Sequence, residues 1–250
     1  MDEDIQRRIE DLYNRSIRTN QPIATAFLDP AELAVSDKVL KRIHACRYVV
    51  YGGYTGAERS RIIFLPDYLD ESDFTADEYI SVLRAQCKFA KPIHRDWLGS
   101  IMGLGVKRET IGDILVCDGY TDIICTDKIS QYLQENLDRV GRLGVELKKI
   151  STGEIIAPEP EYDVREGTVA SPRADSVVSL AFGISRTAAV GLIKEGRLSV
   201  NHLPQLSPSA EIAEGELISL RGYGRARLSR MGGMSKKGRI FLTMHVFSKK

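Results

Sequence analysis

This sequence is poor in the residues that staple a chain, bind a metal or span a membrane. Its 250 residues include four cysteines, Cys46, Cys87, Cys117 and Cys125, with no C-x-x-C pair, and four scattered histidines, His44, His94, His202 and His245. Neither a metal site nor a disulfide framework can be read from that spacing. The thiols are expected to be reduced and used as small buried hydrophobes; Cys117 and Cys125 fall on neighbouring predicted strands and could lie near each other. No run of about 18 apolar residues offers a membrane span. The opening MDEDIQRRIEDLYNR has no apolar block of the kind a secretory signal needs, so the expected compartment is the cytosol. The last shortage is of acid: from Leu217 onward there are nine Lys+Arg and no Asp or Glu.

That shortage exposes a polarity hidden by the formal net charge of +1. Residues 171–250 carry 13 Lys+Arg against 5 Asp+Glu, whereas residues 1–170 carry 22 against 29. Such asymmetry suggests a polyanionic partner for the basic end, although a solvated basic face would have the same composition.

Apolar spacing predicts a helix over 4–18, with Ile5, Ile9, Leu12 and Ser16 on one stripe, and a second after FLDPAE with Pro30 in its first turn. Strands are expected at 47–51 and 61–65, joined by a glycine-rich connection, giving a small α+β unit over 1–75. Residues 76–156 then read strand, helix, hairpin, helix (128–140), strand. This β-α-β-β-α-β order is that of the ferredoxin-like, RNA-recognition-type plait. Its central strands offer Cys, Ile and Leu in place of base-stacking aromatics, which favours core packing over base binding. In the helix that opens HRDWLG, Asp96 is expected to cap and Trp97 and Leu98 to bury against the sheet. GVKRE brings Lys107 and Arg108 to that helix's end, as a complement to its dipole or as an RNA contact. GAERSR exposes Arg59 and Arg61. APEPEYDVREGTVASP (157–172) is rich in Pro, Glu and Ser and reads as a linker, part of which (YDVREGTV) could add an edge strand.

The third unit, 173–250, begins with a helix in RADSVVSLAF, for which Asp175 or Ser176 is the candidate cap and Gly183 the stop. A second helix follows in GISRTAAVGLIKEGRLSVN, capped by Ser185, with Ala189, Leu192 and Ile193 inward and Gly196 as the left-handed stop. Arg186 is out of place there. It sits in the first turn, where the helix dipole favours an anion and a cation costs a few tenths of a kcal/mol. An external phosphate held by Arg186 and the exposed amides would explain it. RGYGRARLSRMGGMSKKGR then places seven cations among five glycines and reads as a flexible basic loop.

The pattern R-x-D (Arg173, Asp175), S-R-x-x-A-x-x-L-I-x-x-G-x-x-x-V-N (Ser185 to Asn201), Gly215-Glu216 and I-S-x-R-G (Ile218 to Gly222) resembles the RNA-binding domain of ribosomal small-subunit protein four, the S-four domain. The family more often has Gly-Asp at 215–216. The resemblance implies an alpha-L type module whose paired helices meet structured RNA. Carried over, the contacts are Arg173, Ser185, Arg186, Lys194, Arg197 and Asn201, with Arg221, Tyr223, Arg225, Arg227, Arg230, Lys236 and Lys237 from the basic loop. Tyr223 could stack on a base or merely pack.

Four further stretches, FLDPAE (27–32), GGYTGAERSR (52–61), PDY (66–68) and HRDWLGSIMGLGVKRETIGDI (94–114), resemble the YlmH family of bacterial S-four proteins over nearly the whole chain. What this implies is a non-enzymatic factor without cofactor or metal, partnered by ribosomal RNA and tRNA on the large subunit and engaged in stalled-ribosome quality control. The genes often neighbour cell-division genes, which leaves a division adaptor as an alternative.

Four motifs look like chemistry. HRD (94–96) lacks the Asn and phosphate loop of a kinase. GLGVKR has Arg108 where a dinucleotide fingerprint needs its third glycine. GRLG (141–144) has Gly144 where a pseudouridine synthase carries its Asp nucleophile. GMSKK (233–237) is similar to a loop of tyrosyl-tRNA synthetases but lies outside any Rossmann-like context. The enzymatic alternative rests on Asp29, Glu32, Glu58 and Asp67, which form no recognisable constellation.

Overall fold

FLDPAE acts as a helix start in the computed structural model, which describes residues 2–86, 92–157, 159, 161–235 and 238–247. Asp29 Oδ1 accepts from the Ala31 and Glu32 amides at 2.9 Å each, and Glu32 reaches back to the Asp29 amide at 2.7 Å. This reciprocal capping box, with Pro30 first in the helix, satisfies donors the helix itself cannot. Helix α1 (Asp2–Thr19) buries Ile9 against the helix so started, α2 (Pro30–Arg42), whose Val39 and Leu40 point inward. Both rest on a small antiparallel sheet in which β1 (Ile23–Ala24) and β2 (Tyr48–Tyr51) flank β3 (Arg61–Phe64).

The plait follows with β4 (Ser81–Gln86), α3 (His94–Gly103), β5 (Ile111–Val116), β6 (Tyr120–Cys125), α4 (Asp127–Asn136), a two-residue ribbon of β7 (Arg139–Val140) and β8 (Leu143–Gly144), and β9 (Leu147–Ile150). Strand order β5-β6-β4-β9, antiparallel throughout, gives the ferredoxin-like topology expected from the sequence. Leu83, Ala85, Ile123 and Cys125 face α3 and α4, where Trp97 is fully buried and Leu98 partly so. Asp96 lies in the first turn of α3 and accepts from the Ile93 amide at 3.0 Å. Helix α4 ends at Asn136, short of the expected 140, because Leu137 turns into the core and residues 139–144 form the ribbon, with GRLG as its turn and second strand. Cys117 and Cys125 are not neighbours: Cys125 pairs with Ile111 at one end of the hairpin and Cys117 bonds Tyr120 at the other. Burial pushes the Cys125 thiol up to about 12. Cys87 lies outside the described residues.

The second face of the plait sheet is covered by the N-terminal unit. Phe27 packs with Ile80, Leu115 and Ile124, supported by Tyr51, Tyr54 and Ile155. The close approach depends on Gly112, where a Cβ would stand 2.8 Å from the Phe27 ring. Arginines hold the seam. Arg59 donates to the carbonyls of Ile111 (3.2 Å) and Phe27 (2.9 Å), and Arg108 to those of Ile111 (2.6 Å) and Gly112 (3.1 Å). Arg61 bonds the Thr25 and Tyr79 carbonyls, and burial lowers its guanidinium to about 10. The expectation that GAERSR exposes Arg59 and Arg61 is therefore corrected: carbonyls left without strand partners take up both side chains.

The Cα framework divides into two compact units, Met1–Pro158 and Glu159–Lys250. The segment expected as linker contains β10 (Tyr162–Val169), which belongs to the second unit and pairs along its whole length with β15 (Ile240–Phe247). Between them come α5 (Ala174–Phe182), α6 (Arg186–Lys194), β11 (Leu198–Val200), β12 (Leu203–Pro204), β13 (Leu217–Leu220) and β14 (Gly224–Met234). The sheet order is β10-β15-β14-β13-β11-β12. The chain bends by 115° between α5 and α6, which bury Val177, Val178, Ala181, Ala189 and Ile193 against Leu198, Ile218, Ala226, Leu228, Leu242 and Met244. The expected flexible loop over 221–239 is largely strand β14. Its five glycines hid a period-2 pattern in which Ala226 and Leu228 point inward and Arg225 and Arg227 outward. Among the described residues no single helix is long and apolar enough to cross a membrane.

Candidate nucleic-acid interface

The two short helices meet at a buried carboxylate. Arg173 precedes α5, and Asp175 lies in its first turn with a side chain 6% exposed. Asp175 Oδ2 accepts from Arg186 Nη2 at 2.7 Å, Oδ1 accepts from the Ser176 hydroxyl at 3.2 Å, and Arg173 Nε lies 3.6 Å from Oδ1. The expected cap, Asp175 or Ser176, is thus corrected: Arg173 stands at the N-cap with no side-chain cap bond, and Asp175 sits inside the helix and serves the neighbouring one. Desolvation alone would raise its pKa, but the Arg186 hydrogen bond and charge, with help from Ser176 and Arg173, bring it below the ordinary value.

This carboxylate explains why a cation occupies the first turn of α6. The offsetting partner is internal, where the sequence suggested an external anion. A guanidinium has five N–H donors in a fixed fork, and Asp175 uses one nitrogen of Arg186. The Arg186 side chain remains 57% exposed and that of Arg173 42%. Two cations therefore stand on one buried anion, leaving local positive charge at an exposed helix N-terminus. Ser185 caps that helix, accepting from the Ala188 amide at 3.1 Å, and residues 185–188 are all exposed. Arg186, Arg173 and the first-turn amides other than that of Ala188 are donors of the kind that suits a phosphate through charge-assisted hydrogen bonds.

The other candidates are distributed differently. Lys194 is exposed in the last turn of α6, about 12 Å along the helix from Arg186 at 1.5 Å per residue. Arg197 turns inward: its Nη2 donates to the Arg221 carbonyl at 2.7 Å and lies 2.9 Å from where Gly222 would carry a Cβ. Gly222 also adopts φ +89°, which favours glycine there, whereas the Arg197 guanidinium is the end of a flexible side chain that can give way. Asn201 is likewise engaged. With His202 it forms the left-handed pair of a tight β11–β12 turn (φ 46° and 67°), and its amide bonds Glu216 and the Leu217 N–H at 3.0 Å each. Arg221 and Tyr223 are exposed at the β13–β14 turn, with the Tyr223 ring 6.2 Å from Phe182. Arg225, Arg227 and Arg230 lie on the sheet face turned away from α5 and α6. Lys236 and Lys237 lie outside the described residues.

One cation near the helix pair escaped sequence reasoning. Arg165, in the supposed linker, points to the helix side of β10 and its Nη1 lies 3.3 Å from the Cβ position of Gly183, the α5–α6 turn. The alternating stretch YDVREGTV carried the only signal. The plait is a poor base-stacking surface for a reason stronger than residue type. On its second face Asp122 and Ile124 are fully buried, and Arg84, bidentate to Asp122 at 2.7 Å, covers the Tyr120 ring at 4.3 Å. Among the described residues no group of three or more His, Cys, Asp or Glu is placed to hold a metal ion.

A plait bound to a small α+β unit, with a separate basic module of two helices on an antiparallel sheet, defines a mixed α+β protein of RNA-binding type. Comparison with known proteins agrees. Residues 2–69 match the family described as "YlmH, N-terminal" and residues 70–154 the one described as "Putative RNA-binding domain in YlmH". The chain is 33% identical over 221 residues to the Bacillus subtilis (strain 168) "Ribosome-associated protein quality control protein P2", covering 88% of this chain and 85% of that protein. The chain belongs to the YlmH family. Its fold is similar to that of the "Cell division protein ylmH from Streptococcus pneumoniae", with a TM-score of 0.50 at 22% identity over 62% of this chain and 90% of the other.

Proposed function

We propose that this protein is a non-catalytic factor that binds folded ribosomal RNA and tRNA on the bacterial large ribosomal subunit, in the cytoplasm, as part of stalled-ribosome quality control. The observation that carries the reading is the pair Arg173 and Arg186, oriented on buried Asp175 beside the exposed first turn of α6. Backbone-directed cations on a rigid helix pair suit RNA recognised by shape. The name of the Bacillus relative supports the ribosomal setting. The enzymatic alternative loses much of its basis because Asp29 and Glu32 are consumed by the α2 capping box. The cell-division reading rests on gene neighbourhood and on the name of a protein matched in fold alone.

The test is cosedimentation of the full chain with purified large subunits, and with tRNA by filter binding, across a salt series. A variant combining Arg173→Ala, Arg186→Ala and Asp175→Asn removes both cations without stranding the buried carboxylate. Its affinity is expected to fall at least about tenfold at 0.1 M salt, with the slope of log K against log salt shallower by about 1.5 to 2 for two lost phosphate contacts. Wild-type retention by that variant would overturn the reading.

A further inference from the structure

The outer face of the second unit's sheet, opposite the helices, carries a row of arginines beside a row of aromatic rings. Along β14, Arg225, Arg227 and Arg230 are exposed, while Ala226, Leu228 and Met231 face the core. Strict alternation would turn residue 230 inward. The register shift between Leu228 and Arg230 prevents this, pairing Arg230 with Thr243 and Met231 with Leu242, so that Arg230 shares the outer face with Arg227. Next to this row runs β15, whose outward residues are Phe241, Thr243, His245 and Phe247, with His245 directly opposite Arg227. Beyond it β10 contributes Tyr162 and Val164, opposite Phe247 and His245.

The rings of Tyr162, His245 and Phe247 pack on one another, and Tyr162 and Phe241 are exposed while His245 and Phe247 are partly so. Tyr162 stacks on His245 with centroids 4.0 Å apart and planes 8° from parallel, and meets Phe247 edge-on at 6.3 Å. Tyr162 is 43% exposed, Phe241 50% and Val164 57%. Glu166 also lies on this face and accepts from the Thr243 hydroxyl at 3.3 Å. Successive outward positions on a strand lie roughly 7 Å apart at about 3.4 Å per residue, a separation that suits successive phosphates of an extended nucleic-acid strand. Parallel tracks of guanidinium groups and exposed π-faces are what unpaired RNA requires, the first for its backbone and the second for its splayed bases. Self-pairing through edge strand β10 is disfavoured by the charges Asp163, Arg165 and Glu166 along it.

We infer that the outer face of β10, β15 and β14 is a second RNA-binding surface, built for an unpaired segment and separate from the phosphate site at α6. This rests on the preceding reading only in that the partner is again RNA. A structured RNA with a single-stranded extension would engage both sides of the module at once.

The experiment uses the full chain and two fluorescein-labelled probes, a 12-nucleotide oligouridylate and a blunt RNA hairpin closed by a short loop, read by anisotropy at 50 mM salt. Tyr162→Ala with Phe241→Ala is expected to weaken oligouridylate binding at least about fivefold, given the usual contribution of base–aromatic stacking. Arg227→Gln with Arg230→Gln should make its salt slope shallower by about 1.4. Neither should change hairpin binding by more than about twofold. Tyr162→Phe, which keeps the stacking surface, should bind like wild type. The variant lacking Arg173, Arg186 and the Asp175 charge should show the reverse pattern, losing the hairpin and keeping the oligouridylate. Oligouridylate binding untouched by the outer-face variants, or lost only with the α6 cations, would overturn this inference while leaving the α6 site standing. A dimer abolished by Tyr162→Ala with Phe241→Ala at unchanged RNA affinity would assign the face to self-association and also overturn it. Failure of wild type to bind either probe would remove both readings.

Discussion

Arg186 Nη2 lies 2.7 Å from Oδ2 of buried Asp175, eleven residues earlier in the chain and on the neighbouring helix. This contact ties α5 to α6 across their turn and aims a guanidinium that is more than half exposed. Arg186 therefore has a structural role beside its proposed binding one, and its removal cannot be read as a loss of RNA contact alone.

A double-mutant cycle separates the two. Arg186→Ala should destabilise the second unit by about 1 kcal/mol, a value kept low because the guanidinium is substantially solvated, since it leaves a buried carboxylate with only the Ser176 hydroxyl at 3.2 Å and Arg173 Nε at 3.6 Å. Adding Asp175→Asn should recover part of that loss, giving a coupling of at least about 0.5 kcal/mol in urea unfolding. Additive effects would show that the pair carries no stability.

Acid should expose the same carboxylate. Because Asp175 has a depressed pKa in the folded protein, its contribution is fully present above the ordinary aspartate range near pH 4 and is lost as pH falls through the lower folded value. The melting temperature of wild type relative to Asp175→Asn should hold constant from pH 7 to about pH 5 and narrow below pH 4. A gap that does not change down to pH 2.5 would contradict the assignment.

Gly112→Ala tests the seam in the first unit. Its Cβ would press on Phe27 at 2.8 Å and Ile124 at 3.1 Å, both fully packed, so a loss of about 1–3 kcal/mol is expected. Thermal unfolding should show it, while hairpin RNA binding below the transition stays at the wild-type value.

Asn201→Ala distinguishes a turn residue from an RNA ligand. It removes two hydrogen bonds from a left-handed position, which should cost about 1–2 kcal/mol in denaturant. RNA affinity measured well below the melting temperature should change less than twofold. A tenfold loss of affinity without loss of stability would restore Asn201 to the contact surface.

Much of this architecture was legible because local and long-range demands agreed. FLDPAE carries its own helix start, the apolar period of 2 marked the plait strands, and the Gly183 and Gly196 stops bracketed α6. Cation identity was legible too, since Arg and Lys leave no doubt about charge. Their orientation was not. Arg59, Arg61 and Arg108 look like surface arginines in the sequence, yet each satisfies main-chain carbonyls at a packed seam.

By itself, then, the chain determined most of the helices, the plait strands and the basic character of its last third, because caps, periodicity and charge are properties of neighbours in sequence, whereas β10 and β14 read as linker and loop. Only the tertiary structure decided that Asp175 holds Arg186, that Arg197 and Asn201 serve turns, and that β14 turns its arginines toward the rings of β10 and β15. Those outcomes depend on pairing register and burial between segments far apart in the sequence, and no local pattern encodes which side of a sheet its distant partner will cover.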